Sequence, residues 1–305
     1  MCRKRSQRSA YGKESLSVPT KKCSGVPAPE AVDKRKVFVV TGSSRGLGEA
    51  IATSLADQCP NSIIYVTSRN LFAAQRAKDR ITSNLGTGCK AEMTVHKLDI
   101  QDAYSCNEFV RFLRKRHLGI DVLVNNASFE YASKTIQDAA TRARITIGVN
   151  YRGTKLVTGA LAPLFRPNGR IVIVTDKRGL ASEFNYGPQH LQILQNPYIS
   201  AEDIDGFVNE YIRSASRNTR YADGFPEDAY IVSKTAQIAW ATVVAKRMRE
   251  EFGVSVNTCC LNLPAKTKNE EISFKKTAET PVYLATVPEI PDALFVDERI
   301  RTFNC

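Results

Sequence analysis

No stretch of this 305-residue chain approaches the roughly 20 consecutive apolar residues that a membrane-spanning helix requires. No charged segment followed by an apolar one opens the chain, so neither secretion nor a membrane role is expected. Histidine is scarce and scattered (His96, His117, His190), and no metal site is expected. The eight cysteines (Cys2, Cys23, Cys59, Cys89, Cys106, Cys259, Cys260, Cys305) form no CxxC pair and no regular framework. In a chain of this size that pattern fits reduced thiols in the cytoplasm better than disulfides or zinc. Acidic residues are nearly missing from the first 36 positions, where ten Lys or Arg face only Glu14, Glu30 and Asp33. That segment therefore carries more than half of the net charge of +12. A basic, Ser- and Pro-containing stretch without apolar periodicity reads as a disordered tail over 1–35, not as a nucleic-acid surface. Arg3-Lys4-Arg5 leaves a nuclear signal open, and the shortage of acids before Glu30 leaves a mitochondrial presequence open.

What is present is an α/β rhythm over 36–305, read as a single domain. It is organised around Lys36 to Leu55, KVFVVTGSSRGLGEAIATSL. The apolar run Val37 to Val40 is followed by Gly42, Gly46 and Gly48, then by apolar residues at helical spacing (Leu47, Ile51, Leu55). Strand, tight turn and helix in that order bring backbone N–H groups and a positive helix end to a pyrophosphate, with no side chains in the way. The turn is a candidate dinucleotide site, and an ordinary glycine turn is the alternative.

Ser62 to Ser68 reads as the second parallel strand. In NAD-binding versions of this unit an acid about 20 residues past the glycines holds the ribose 2′-hydroxyl. Here that place holds Ser68 and Arg69, and between Glu49 and the strand end the only carboxylate is Asp57. Arg45 in the turn and Arg69 suit a 2′-phosphate, because planar guanidinium groups bind phosphate oxygens bidentately. NADPH is expected over NADH, with two solvated surface arginines as the alternative. A helix over Leu71–Leu85 and a strand over Glu92–Leu98 follow. At that strand end Asp99 is placed to accept from an adenine amino group and Ile100 to cover the ring; a solvated loop aspartate is the other reading of Asp99.

A helix over 102–116 and a strand over Asp121–Asn126 come next, then a long helical pattern from Ala140 to Phe165 with Asn150 in its middle. Asn competes for backbone partners inside helices, so a buried Asn150 implies a local distortion with a task, such as holding a water; a solvated Asn is the alternative. Gly169 to Thr175 reads as a strand ending at Asp176. Lys177 to Ala229 breaks the rhythm; it is too long for a bare loop and reads as a helical insertion near the site. The rhythm returns with a helix over Tyr230–Phe252, a strand over Val254–Leu261, a short helix from Glu279 and a last strand around Ala293–Val296. Strands alternating with helices specify a doubly wound parallel sheet.

Tyr230 and Lys234 stand four apart, on one helix face. A nearby ammonium favours the phenolate, lowers the tyrosine pKa and can hold ribose hydroxyls, which suits a proton donor for carbonyl reduction.

TGSSRGLG at 41–48, NNA at 125–127, the mid-helix Asn150 and YIVSK at 230–234 together resemble the short-chain dehydrogenase/reductase family, over residues 36 to about 300. The long insertion before Tyr230, AETPVYLATVP at 278–288 and NTCCL at 257–261 look like the monomeric NADPH-dependent carbonyl reductases. The resemblance implies a Rossmann-type fold and hydride transfer to ketones, aldehydes or quinones. It also implies a monomer, because the insertion covers the surface on which tetrameric members associate. Gly42, Ser44, Arg45, Gly46, Leu47 and Gly48 would hold the phosphates, and Arg69 the 2′-phosphate. Asp99 and Ile100 would flank adenine, and Asn126 would lie near the nicotinamide-side ribose. Tyr230 would be the acid, Lys234 its tuner and ribose ligand, and Asn150 part of the proton relay.

Three departures stand against the match. The family's Ser at the end of the fifth strand is Asp176; Thr175 carries a hydroxyl but should point to the opposite face. The Gly after NNA is Ser128, and the Pro-Gly pair after the sixth strand is Leu261-Asn262, with Thr267 an approximate match for the Thr that follows. An ionised Asp176 facing the reaction centre would oppose a developing alkoxide and raise the Tyr230 pKa; a protonated Asp176 could take the catalytic serine's place by donating a hydrogen bond, and the other alternative is a pairing with Lys177 or Arg178. Two readings stay open: an active reductase, or a catalytically impaired NADPH-binding protein acting as a sensor or partner-binding module.

Overall fold

The computed structural model describes residues 34–131, 137–181, 186–261, 270–289, 295–297 and 302–303. These fall in one unit spanning Asp33–Cys305. The reading of 1–35 as a disordered tail lies outside the described residues except at its end. There Arg35 belongs to the body, pairing with Glu92 at 2.6 Å and accepting on its backbone carbonyl a hydrogen bond from the Arg166 guanidinium.

The chain alternates β1 (Lys36–Val40), α1 (Gly46–Gln58), β2 (Ser62–Ser68), α2 (Leu71–Leu85), β3 (Glu92–Lys97), α3 (Ala103–His117) and β4 (Ile120–Asn125). It continues through α4 (Ala139–Ile147), a π-helical stretch (Gly148–Gly153), α5 (Thr154–Leu161) and β5 (Phe165–Asp176). The insertion supplies α6 (Pro188–Leu194) and α7 (Ala201–Arg217). After it come α8 (Ala229–Phe252), β6 (Ser255–Leu261), α9 (Glu270–Thr277), α10 (Glu279–Thr286), β7 (Phe295–Val296) and β8 (Thr302–Phe303).

The strands form one sheet in the order β3-β2-β1-β4-β5-β6-β7-β8, parallel but for the last pair. β1, β2 and β4 are buried on both faces, which is why they read as continuous apolar runs and not as alternating ones. Apolar clusters fill both sides of the sheet: Val39, Tyr65, Leu123 and Ile173 face α3, α5 and α8, while Phe38, Ile64, Val124 and Val172 face α1, α2 and α10. The strand order reverses between β1 and β4, and the crevice at their carboxyl ends is where such sheets take ligands.

Two expectations need correction. β5 begins at Phe165, where a helix end was expected, running through Pro167 and Asn168 with a register shift against β4 between Ile120 and Val122. Asn168 has φ 63°, so the chain bends there without leaving the sheet. Helix α9 and strand β8 were not anticipated.

Candidate active site

β1 ends in a turn stitched to both neighbouring strands. Thr41 N donates to Val124 O at 3.0 Å, and its Oγ1 accepts from the backbone N–H of Asn126 and Ala127, each at 3.0 Å. Asn126 Nδ2 donates to Thr41 O at 2.9 Å and Gly42 O at 3.2 Å. On the β2 side, Ser43 N donates to Thr67 O and Thr67 N to Ser43 Oγ. The glycines are what this geometry requires. Gly42 has φ +62°, and a Cβ on it would stand 2.8 Å from Ala127 Cα; a Cβ on Gly48 would stand 2.4 Å from Asn126 Nδ2 and 2.6 Å from Gly42 O. Gly46 has φ +58°. Helix α1 starts at Gly46 without a side-chain cap, so its first N–H groups are open to an anion.

Ser44 Oγ donates to Ser68 Oγ at 3.3 Å, which brings the neighbours of Arg45 and Arg69 together. Both arginines are exposed and take no side-chain partner among the described residues. A residue that the sequence reading missed completes this corner: Arg80 of α2 grips Glu49 at 2.7 and 2.9 Å and donates to Ser44 O at 3.1 Å. It thereby offsets the one carboxylate in the first turn of α1. Asp99 holds Gln101 N on Oδ1 at 3.0 Å and has no side-chain partner on Oδ2 among the described residues. The side chain of Ile100, its neighbour, is buried in the core, where a Cβ on Gly153 would stand 2.9 Å from Ile100 Cδ1. The open helix end, the glycine cradle and two unpartnered arginines fit a phosphorylated dinucleotide.

The second half of the site is built on α8. Asp228 caps the helix through Tyr230 N, and Tyr230 and Lys234 face inward together, 3% and 1% exposed. Asn150 lies in the π-helical stretch, fully buried, so the expected distortion is present. Its Nδ2 donates to Ser233 Oγ at 2.9 Å and Phe129 O at 3.0 Å, and its Oδ1 accepts from Phe129 N at 2.7 Å and Ser128 Oγ at 3.2 Å. Ser233 Oγ in turn donates to Tyr230 O. Asn150 therefore ties the loop after β4 to the first turns of α8, where Tyr230 and Ser233 stand. A run of side chains also links Lys234 to Asn150: Lys234 Nζ donates to Gln237 Oε1 at 3.0 Å, Gln237 Nε2 to Thr154 Oγ1 at 3.2 Å, and Thr154 Oγ1 to Asn150 O at 2.7 Å. Gln237 and Thr154 carried no sequence signal, because neither type is tied to a motif.

The tuning of Tyr230 differs from expectation. Burial first, and then the Asp176 carboxylate, hold its pKa well above the usual phenol value, with Arg178 opposing. Lys234 Nζ stays 5.5 Å from the ring centroid, and burial pushes its own pKa down to about 8. Asp176 does face the tyrosine: Tyr230 Oη donates to Asp176 Oδ2 at 3.2 Å. Thr175 is buried, and its hydroxyl has no hydrogen-bond partner among the described residues. Asp176 pairs with Arg178, one of the two partners considered for it, through the backbone N at 2.9 Å and the guanidinium at 3.1 Å. The same guanidinium lies 4.4 Å from the Tyr230 ring centroid and bonds Glu130 at 2.8 Å. Asn262 and Thr267 lie outside the described residues. Phe274 of α9 sits 3.7 Å from the Cβ position of Gly46, so α9 borders the glycine turn.

Residues 36–188 match the model of the short chain dehydrogenase family. The chain is 29% identical to carbonyl reductase (NADPH) 1 of Sus scrofa over 277 residues, 87% of this chain and 92% of that one. It is 30% identical to the Oryctolagus cuniculus protein of the same name over 269 residues, 85% and 93% of the two chains. Among solved structures, the menthone neomenthol reductase from Mentha piperita superposes with TM-score 0.74 at 23% identity, over 87% of this chain and 99% of that one. Salutaridine reductase from Papaver somniferum does so with TM-score 0.72 at 23% identity, over 86% and 99%. These two likenesses bear on the fold.

Proposed function

Since the chain belongs to the short-chain dehydrogenase family and is an oxidoreductase similar to carbonyl reductases, we propose that it uses NADPH to reduce small-molecule carbonyl compounds, namely ketones, aldehydes or quinones. The observation that carries this reading is the buried Tyr230–Lys234 pair, on a helix held by the Asn150–Ser233 bond at 2.9 Å and linked through residues 126–129 to the glycine turn. The N-terminus of α1 with Gly42, Ser44, Gly46, Leu47 and Gly48 would hold the pyrophosphate. Arg45 and Arg69 would take the 2′-phosphate, and the open Asp99 Oδ2 the adenine amino group. Asn126 holds the turn in shape and would lie near the nicotinamide-side ribose, and Lys234 would bind that ribose's hydroxyls. NADPH, once bound, supplies the hydride. Tyr230 then gives its proton to the new alkoxide, and Asn150 keeps Tyr230 in position through Ser233.

Asp176 favours a second reading, in which the chain binds NADPH with little turnover. A carboxylate beside the Tyr230 hydroxyl disfavours a growing negative charge on oxygen. Incubation with NADPH and a panel of quinones and aromatic aldehydes separates the two. Turnover abolished by Tyr230→Phe is expected. Tight NADPH binding with no turnover until Asp176→Ser restores it would select the second reading.

We also propose a monomer, supported by α7 lying against α4 and α8, and a cytoplasmic protein without nucleic-acid or membrane partners. A nuclear or mitochondrial address in 1–35 is the alternative for its location. Among the described residues, no helix is long and apolar enough to cross a membrane.

A further inference from the structure

The Tyr230 hydroxyl is the group that a reducible heteroatom must touch, and the neighbour it bonds is an acceptor. Its proton is directed at Asp176 Oδ2, 3.2 Å away. Asp176 also accepts from Arg178 N at 2.9 Å and from the guanidinium Nε and Nη2 at 3.3 and 3.1 Å. A carboxylate on which four donors converge has nothing to donate. A carbonyl oxygen arriving there finds one donor already engaged and a negative neighbour, and the alkoxide it becomes is opposed.

A planar cation carrying N–H finds the reverse, and the protein already places one there. The Arg178 guanidinium is a flat, delocalised carbon–nitrogen cation, 4.4 Å from the Tyr230 ring centroid and held at its edge by Asp176. Its other edge rests on Glu130, at 2.8 and 3.2 Å, a half-exposed carboxylate to which it can retreat.

We propose that this site reduces protonated carbon–nitrogen double bonds, iminium ions, in preference to ketones, with Asp176 accepting the iminium N–H in the place Arg178 now fills. The proposal rests on the reading of the chain as an NADPH-dependent reductase and changes the preferred acceptor from the carbonyl compounds named above to iminium ions. The iminium carbon gains the hydride, the C=N π pair becomes the nitrogen lone pair, and the positive charge ends on the oxidised nicotinamide. The products are a neutral amine and NADP+, and the step consumes no proton. The tight hold on the Tyr230 proton, a hindrance to alkoxide protonation, therefore costs nothing here.

The test has a binding arm and a turnover arm. In calorimetry without cofactor, benzamidinium should bind wild type at least about tenfold more tightly than acetophenone. Asp176→Asn should erase the difference, and Arg178→Ala, which removes the resident cation, should tighten benzamidinium. In turnover with NADPH, 2-methyl-1-pyrroline should exceed cyclopentanone in kcat/KM by about tenfold or more, and Asp176→Ser should invert the order. Equal binding of the two probes, or a wild-type preference for the ketone that Asp176→Ser leaves unchanged, overturns the proposal. Failure of NADPH itself to bind would overturn the underlying reductase reading, while the benzamidinium arm still reports on Asp176. Retained NADPH affinity in each variant shows that it has folded.

Discussion

Lys234 is wholly enclosed, so its ammonium is held against a desolvation cost that the nearby Asp176 only partly offsets. With its pKa pushed down to about 8 from 10.5, the group loses its charge within the working range of a pH–rate profile. Tyr230, whose pKa moves in the other direction, keeps its proton throughout. Ketone turnover should therefore fall as pH rises through about 8, and the fall should be absent from whatever residual activity Lys234→Met retains. Stability moves oppositely. Between pH 8 and 10.5 the unfolded lysine still binds its proton and the folded one does not, so this residue makes unfolding harder as pH rises. Denaturant midpoints at pH 7.5 and 9.5 should show that increment in wild type and lack it in Lys234→Met. At the proposed adenosine end, Arg69 has no side-chain partner among the described residues, so Arg69→Ala should leave stability unchanged. It should weaken NADPH by about tenfold or more while sparing NADH. Equal weakening of both nucleotides would remove the 2′-phosphate assignment.

At the scale of the element, the glycine turn and the π-helical stretch are the parts where local chemistry dictates shape most strictly. Gly48→Ala would drive a methyl group to 2.4 Å from Asn126 Nδ2 and 2.6 Å from a backbone oxygen. The strain should cost about 1–3 kcal/mol in a melting experiment and displace Asn126 from the turn, weakening NADPH. Asn150→Ala would orphan the Phe129 N–H and C=O together with the Ser233 contact, a loss of at least about 2 kcal/mol. Asn150→Asp should be nearly as damaging, because the donor to Phe129 O at 3.0 Å disappears. Both elements were legible in the sequence for the same reason: a glycine after a strand and an asparagine inside a helix are locally disfavoured unless something compensates. What could not be read there depends on partners distant in sequence. Arg178 meets Glu130 from another loop, Arg80 reaches back to Glu49, and Gln237 finds Thr154 across helices. The early start of β5 was hidden because Pro167, Asn168 and Gly169 read as a turn, whereas the sheet absorbs them in an irregular register.

At the scale of the whole molecule, the insertion decides which surfaces remain available for association. Helix α7 is fixed at its start by a reciprocal capping box between Ser200 and Asp203, and it buries Ile204, Phe207, Val208, Tyr211 and Ala215. Those side chains lie against α4 and α8, joining the core beneath β5. An apolar helix face already covered by the chain's own residues has nothing left to offer a second copy. Sedimentation equilibrium should therefore return a single species near 33.8 kDa across a wide concentration range. Phe207, 1% exposed and in ring contact with Tyr186, His190 and Phe225, is the side chain that fastens α7. Phe207→Ala should lower stability by about 3–5 kcal/mol. Phe207→Asp should go further, loosening α7 from α4 and α8, and self-association should then rise with concentration as the uncovered faces meet. A wild-type dimer, or a Phe207→Asp protein that unfolds without first associating, would show that α7 is not what keeps these faces apart.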